Sequence, residues 1–476
     1  MFIRILLASV FLFLAAFSGH AVAKDKTIVD VVLSRHSQTQ WTVDLSFSSP
    51  QSFMVFPRSA NNYRENSWTP VDEDTQLKNI NGFDAIWFEQ PQSHAKFIIK
   101  PKHPASIRTL TPAMIFGDHS IMFSSDEFLL FPADNYESVA SLWGNTSSLR
   151  GQGYQHFLKV ESSEAIVVDN QLHDSSSVLE FGPSKELKVY IGKDSRIKGK
   201  KYSGIMDSSI PEWFSAKFDS ELSQILERLQ TLWGVDLEHE LIAYIAYDQS
   251  DTYRFSFHGM AVDEQTITLQ IRGDALSRKS DETLRRLQWV VAHEAVHIYQ
   301  RRENFGTKSV KHSWIVEGAA DAMTSQLLLE LEFISHDYVE KRLKENYMAC
   351  VDTLNGTSAF GQTASQGKFY DCGELIALIT DRALPDHTIF EFWNVFLSKT
   401  KGRQYDSKLY FKTMRKLGAD KDLIKLLKTL VEDKIEGTNF QTYSKDYSPL
   451  LRQALTKAGV NIADDAGAGP HIVSRD

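Results

Sequence analysis

The 476-residue chain holds only two cysteines, Cys350 and Cys372, so its fold cannot rest on a dense disulfide framework. Charge of one sign is missing too: 52 Lys and Arg stand against 61 Asp and Glu, a net charge of −9. That mildly acidic balance argues against nucleic acid or an anionic membrane as the main partner. Beyond the first residues no apolar run is long enough to cross a bilayer, which leaves no stable membrane insertion once a leader is removed. Internal repeats, low-complexity tracts and heptad runs long enough for a coiled coil are also lacking.

What is present begins at the amino terminus. Residues 1–4 end in Arg4, residues 5–17 are almost unbroken apolar sequence, and Ala21-Val22-Ala23 follows. A charged start, a short apolar stretch and a small-x-small triplet describe a signal peptide over 1–23, cut after Ala23, with an uncleaved anchor as the rival reading. The expected location is periplasmic or secreted. In such a compartment Cys350 and Cys372 are most simply a disulfide, although a second metal site is the competing use of two thiols.

From residue 27 to about 192, short runs rich in β-branched and aromatic residues alternate with Gly, Pro, Asn and Ser clusters. In 41–47 the apolar residues fall on alternate positions, as a half-buried strand requires. Helical spacing takes over at Trp213 and stops at Gly234, and strands are expected over 241–247, 253–258 and 266–271. The remainder is helical in pattern. The expectation is an α+β protein with an all-β, sandwich-like N-terminal domain over 24–205. A zinc-binding catalytic domain over 206–335, a helical part over 336–462 and a disordered tail over 463–476 complete it.

The chemistry sits in His293-Glu294-Ala295-Val296-His297, inside a helix that Ser280-Asp281-Glu282 opens. Spacing of i, i+4 puts both imidazoles on one face, where their nitrogens can reach one zinc ion at about 2.0–2.1 Å. Glu294 points to the flank, too far round the helix to be a third ligand but placed to take a proton from water. The surrounding Leu287, Trp289, Val290, Val291, Ala292, Ala295, Val296 and Ile298 make this a buried helix, where His and Glu without a purpose are costly.

Twenty residues after His297, Glu317 lies in an apolar segment that reads as the start of a second helix. It can complete a two-histidine, one-carboxylate set for a single Zn2+ and leave the fourth position open. Asp321, one turn further, lies on the same face and can accept a hydrogen bond from a ligand imidazole. His258, His312 and His387 carry no assigned role.

These motifs resemble the gluzincin zinc metallopeptidases, the superfamily of thermolysin and the aminopeptidase-N-like enzymes. The metzincin pattern fails because Gln300 and Glu303 stand where it needs glycine and histidine. The interval from His297 to Glu317 is similar to thermolysin. A β domain ahead of the catalytic domain is similar in outline to the aminopeptidase-N and glycyl-aminopeptidase branches. The resemblance implies a thermolysin-like catalytic domain, hydrolysis of a peptide or protein substrate, and Glu294 as general base.

It also implies a catalytic tyrosine: Phe369-Tyr370-Asp371-Cys372-Gly373 is similar to the family's Tyr-x-x-Gly helix start, whose phenol donates to the oxyanion. The family's Gly-x-Met-Glu-Asn segment, which captures a substrate amine, is not matched by the stretch from His258 to Glu264. Asp263 and Glu264 read as an exposed turn, and 266–271 as the edge strand on which an extended substrate can lie. The alternatives to a peptidase are a catalytically silent peptidase-like scaffold and a zinc hydrolase for a non-peptide amide.

Overall fold

The structure is a computed structural model. It describes residues 27–473 apart from 60–61, 103–112, 143–153, 184, 250–255, 275, 303–308, 355–367, 385, 401–403, 433–446 and 466–468. The leader read over 1–23 lies outside these residues. The chain divides into two compact units, one of residues up to 115 with 119–193, the other of 116–118 with 194–476.

The first unit is built of β1 (Thr27–Arg35), β2 (Trp41–Val55), β3 (Trp68–Pro70), β4 (Thr75–Ile80), β5 (Phe83–Ile99), β6 (Ala113–Ile115) and β7 (Ile121–Ser124). They are followed by β8 (Phe131–Pro132), β9 (Tyr154–Glu161), β10 (Ala165–Val168), β11 (Gln171–His173), β12 (Val178–Phe181) and β13 (Lys188–Gly192). Two short helices, α1 (Tyr63–Ser67) and α2 (Tyr136–Ala140), interrupt them.

An eight-stranded sheet runs β12-β9-β1-β2-β5-β3, with β4 also on β5 and β8 on β2; a five-stranded sheet runs β11-β10-β13-β7-β6. In β2 the alternation seen in the sequence buries Trp41, Val43, Leu45 and Phe47 on one face. Trp41 meets Phe123 of the other sheet edge to face at 5.4 Å, so the two inner faces share one core, as in a β-sandwich.

In the second unit β14 (Arg196–Lys198), β15 (Tyr202–Met206), β16 (Leu241–Asp248), β17 (Ser256–Ala261) and β18 (Thr266–Arg272) form one sheet in the order β14-β15-β16-β18-β17. The boundary therefore falls after Lys193 rather than at 205, because β14 and β15 hydrogen-bond into this sheet. A second difference concerns the edge. Thr266–Arg272 is interior, parallel to β16 and antiparallel to β17, and it is β17 that lies at the edge. The parallel neighbour, β16, precedes β17 in the chain, so β18 crosses over its own hairpin partner to reach it, a pairing that local pattern does not encode.

That helix, α3 (Glu212–Trp233), buries Phe214, Phe218, Leu222, Ile225, Leu229 and Trp233 at helical spacing and ends at Gly234 in the left-handed region. Next come α4 (Asp281–Arg301), α5 (Trp314–Glu330), α6 (His336–Leu354), a π-helical turn at Lys368–Cys372 and α7 (Gly373–Arg382). The helices α8 (Ile389–Thr400), α9 (Ser407–Lys416), α10 (Lys421–Glu432) and α11 (Ser448–Lys457) complete one continuous core with the sheet. The tail read as patternless from 463 carries strands β19 (Asn461–Asp465) and β20 (Gly469–Val473), paired antiparallel. Each is five residues long, too short for an alternation to stand out.

Candidate metal centre and catalytic site

The Ser280 hydroxyl accepts from the Thr283 N–H at 3.1 Å and starts α4, with Asp281 and Glu282 in the first turn against the positive end of the helix. From there α4 runs buried past its motif, and α5 opens with Glu317 in its own first turn. The structure brings His293, His297 and Glu317 to one point: Nε2 of His297 lies 3.0 Å from Nε2 of His293 and 3.2 Å from Glu317 Oε2. The distance from His293 Nε2 to the same carboxylate oxygen is 3.5 Å. Among the described residues no other trio of His, Cys, Asp or Glu gathers in this way.

Ligands at about 2.0–2.1 Å in a tetrahedron stand roughly 3.3 Å apart, so these three separations match a Zn2+ ion. The donor chemistry fits as well. His293 Nδ1 donates to Asp321 Oδ1 at 2.9 Å and His297 Nδ1 donates to Gln300 Oε1 at 2.7 Å. With both Nδ1 protons so placed, each Nε2 turns a lone pair toward the same point.

The Gln300 amide is oriented in turn by its Nε2, which donates to the Val316 carbonyl at 3.2 Å and so links α4 to the start of α5. In the sequence Gln300 served only to exclude another family. Its position three residues beyond a ligand histidine, on the same helical face, was the signal.

The surroundings favour positive charge. Burial opposes an imidazolium at His293, but Asp321, Glu317 and Glu294 outweigh it and hold its pKa well above the ordinary value. Burial likewise opposes the Glu317 carboxylate, and the two imidazoles prevail, keeping it ionised far below the usual range. A cation at this point would take over what those protons supply.

Glu294 is buried beside the trio, on the flank of α4 that faces β17. Its Oε2 accepts the Ala261 N–H at 2.6 Å. Gly259, two residues back on the same edge strand, makes room: a Cβ there would lie 2.6 Å from Glu294 Cγ and 2.8 Å from Oε1. Arg301 in the last turn of α4 donates to the Val262 carbonyl at 2.7 Å, a second tie between this helix and the strand end. Asp263 is committed elsewhere, with Oδ1 accepting the N–H groups of Gln265 and Thr266 at 2.8 and 2.7 Å to close the turn into β18.

Tyr370 arrives from the π-helical turn, its ring 5.9 Å from that of His293 and its hydroxyl hydrogen-bonded to Glu317. Burial pushes the phenol up, and Glu317, Glu294 and Asp321 add to it, so the group stays a donor across the physiological range. Cys350 and Cys372, 22 positions apart in sequence, form a disulfide that joins α6 to this turn. On the other side Gly318 meets Gly373: a Cβ on Gly318 would fall 2.0 Å from the Gly373 carbonyl carbon. The backbones of α5 and α7 touch there, between Glu317 and Tyr370.

A scan of the sequence against family models finds no match, and no curated protein matches it in sequence. Solved structures do match. An aminopeptidase N family protein from Idiomarina loihiensis aligns over 93% of this chain and 81% of its own, at 12% identity and a TM-score of 0.59. Native yeast LTA4 hydrolase aligns over 88% and 69%, at 12% identity and a TM-score of 0.51. An M1 zinc metallopeptidase from Deinococcus radiodurans aligns over 88% and 95%, at 11% identity and a TM-score of 0.49. At these identities the likeness is one of architecture: the chain has the fold of the aminopeptidase N family.

Proposed function

We propose that the protein is an exported zinc-dependent peptidase in which His293, His297 and Glu317 hold one zinc ion and Glu294 is the general base. The observation that carries this reading is the convergence of two Nε2 lone pairs and one carboxylate at zinc-like separations. Glu294 stands beside them on the edge strand's side. Zinc, when bound, supplies a Lewis acid that polarises a carbonyl and brings the pKa of water to about 7.

The chain's own residues do the rest. Ala261 N–H and the space at Gly259 fix the Glu294 carboxylate, which takes the proton of the attacking water and returns it to the leaving amine. The phenol of Tyr370 donates to the developing oxyanion, charge that a buried donor stabilises more than water would. β17 pairs with β18 alone among the described strands, so an extended substrate can add to its free side beside Glu294. Export is supported by the leader-like pattern of 1–23 and by a disulfide of the kind that persists in oxidising compartments.

The test is zinc content together with hydrolysis of a mixed peptide library, comparing the parent with Glu294→Gln. Zinc in both, with turnover lowered by about 10²–10⁴-fold in the variant, is the expected outcome. The fragments then distinguish trimming of chain ends from internal cleavage. Zinc without cleavage by either protein would move the assignment to a scaffold or a non-peptide hydrolase, and no zinc in the parent would remove the site.

A further inference from the structure

We propose that Arg342, on α6, is a positioning residue for the metal centre: it holds Asp321, and through it His293, in the orientation that binds zinc. The inference rests on the zinc reading given above. Its starting point is how completely Asp321 is engaged. Oδ1 accepts from His293 Nδ1 at 2.9 Å and from Trp289 Nε1 at 3.2 Å, both on α4, while Oδ2 accepts from Arg342 Nη2 at 2.8 Å.

The guanidinium lies over the Trp289 ring, 3.8 Å from its centroid, so the same indole packs the arginine and bonds the aspartate. Arg342 Nη2 also reaches Glu374 Oε2 at 3.3 Å, and Glu374 in turn accepts from Ser325 Oγ at 3.0 Å and from the Asn346 amide. Asp321 and Glu374 are 2% and 0% exposed, so this one cation answers two carboxylates that have lost their water.

Stability alone is a weak reason for such a cluster, since well-packed apolar groups do as well or better. Orientation is a stronger one. A guanidinium does not lose its proton, so Asp321 beside it remains an acceptor and the His293 proton remains on Nδ1. Nε2 is then left bare toward the other ligands. Because Asp321 and Glu317 are one turn apart on α5, a grip on Asp321 from α6 also fixes the rotation that aims Glu317. Groups bonded to ligands in this manner typically change metal affinity by about 10–100-fold when removed.

The experiment measures zinc affinity by chelator competition for the parent, Arg342→Lys, Arg342→Met, Asp321→Asn and the Asp321→Asn/Arg342→Met double variant. Thermal midpoints of the metal-free proteins report structure separately. Lysine and methionine are both unbranched and differ chiefly in charge, so Arg342→Met should weaken zinc binding by about 10–100-fold and Arg342→Lys should recover most of that loss. On the Asp321→Asn background the methionine substitution should cost nothing more, because the route through Asp321 is already cut.

Equal losses in the lysine and methionine variants, parent-like affinity in Arg342→Met, or full additivity in the double variant would each overturn the proposal while the zinc reading stands. A parent that binds no zinc overturns both. If Arg342→Met does not fold, the double variant, which leaves only Glu374 buried without its cation rather than both acids, decides: affinity equal to that of Asp321→Asn supports the role and a further loss refutes it.

Discussion

Each unit of the molecule sets an arginine between two buried acids, and the parallel is close. In the first, Arg64 is fully buried, 3.0 Å from both Asp84 Oδ2 and Glu127 Oε2, with its guanidinium 4.0 Å over Phe56. In the second, Arg342 bonds Asp321 and Glu374 over the ring of Trp289. The difference lies in what the carboxylates touch next. Asp84 Oδ1 accepts from Asn79, its neighbour across the β4–β5 hairpin, at 2.9 Å, and the chain of bonds stays within the sandwich. Asp321 passes on to a histidine whose other nitrogen faces His297 and Glu317. Burial of charge therefore does not mark a functional site; the acceptor at the end of the network does.

The comparison breaks most readily at Arg64. Arg64→Met strands the buried Asp84 carboxylate and takes the guanidinium from Glu127, and should destabilise the protein by about 3–5 kcal/mol, read from urea or thermal unfolding, with zinc affinity of the folded fraction unchanged. A matching fall in zinc affinity would make the two clusters equivalent and remove the distinction.

Gln300 sharpens it from the other side. Gln300→Leu keeps the volume and removes the acceptor of His297 Nδ1, so zinc should bind about 10–100-fold more weakly, measured by chelator competition, with a smaller change in the unfolding midpoint. Parent-like affinity would show that the His297 proton needs no partner.

A third expected effect is a pH slope in the first unit. Burial, opposed by Arg64 and aided by Asp84, pushes the Glu127 carboxyl from 4.5 up to about 8. Between those values the folded state keeps a proton that the unfolded chain has released. The stability it contributes is complete below about 4.5 and is lost as pH rises through about 8. Urea midpoints of the parent should fall from pH 5 to 8.5 relative to those of Glu127→Gln; parallel profiles would contradict the shift.

Much of this was legible in the sequence because it depends on near neighbours. The i, i+4 histidines, the serine that starts their helix, the glycine that ends α3 and the alternation of 41–47 are all local, and each resolves into the element its spacing implies. Local pattern does not carry strand order. Thr266–Arg272 has the apolar run of a strand whether it lies at the edge or inside, and it is the parallel pairing with β16 that places it inside and leaves β17 at the edge. Arg342 was invisible for a related reason: it stands 21 positions from Asp321 on a different helix, and an arginine in an amphipathic helix ordinarily faces water.

The contact of Gly318 with Gly373 gives the site a gauge with no adjustable part. A glycine pair leaves no side chain whose volume could be traded, so the span from Glu317 to Tyr370 is set by main chain lying on main chain. Repacking of the core around α5 and α7 can change how firmly they are held but not how closely they approach. A methyl group at either position would have to be met by translating an entire helix. Any variation in room beside Glu294 is thereby directed away from this wall and toward the side of β17, which pairs with β18 alone among the described strands.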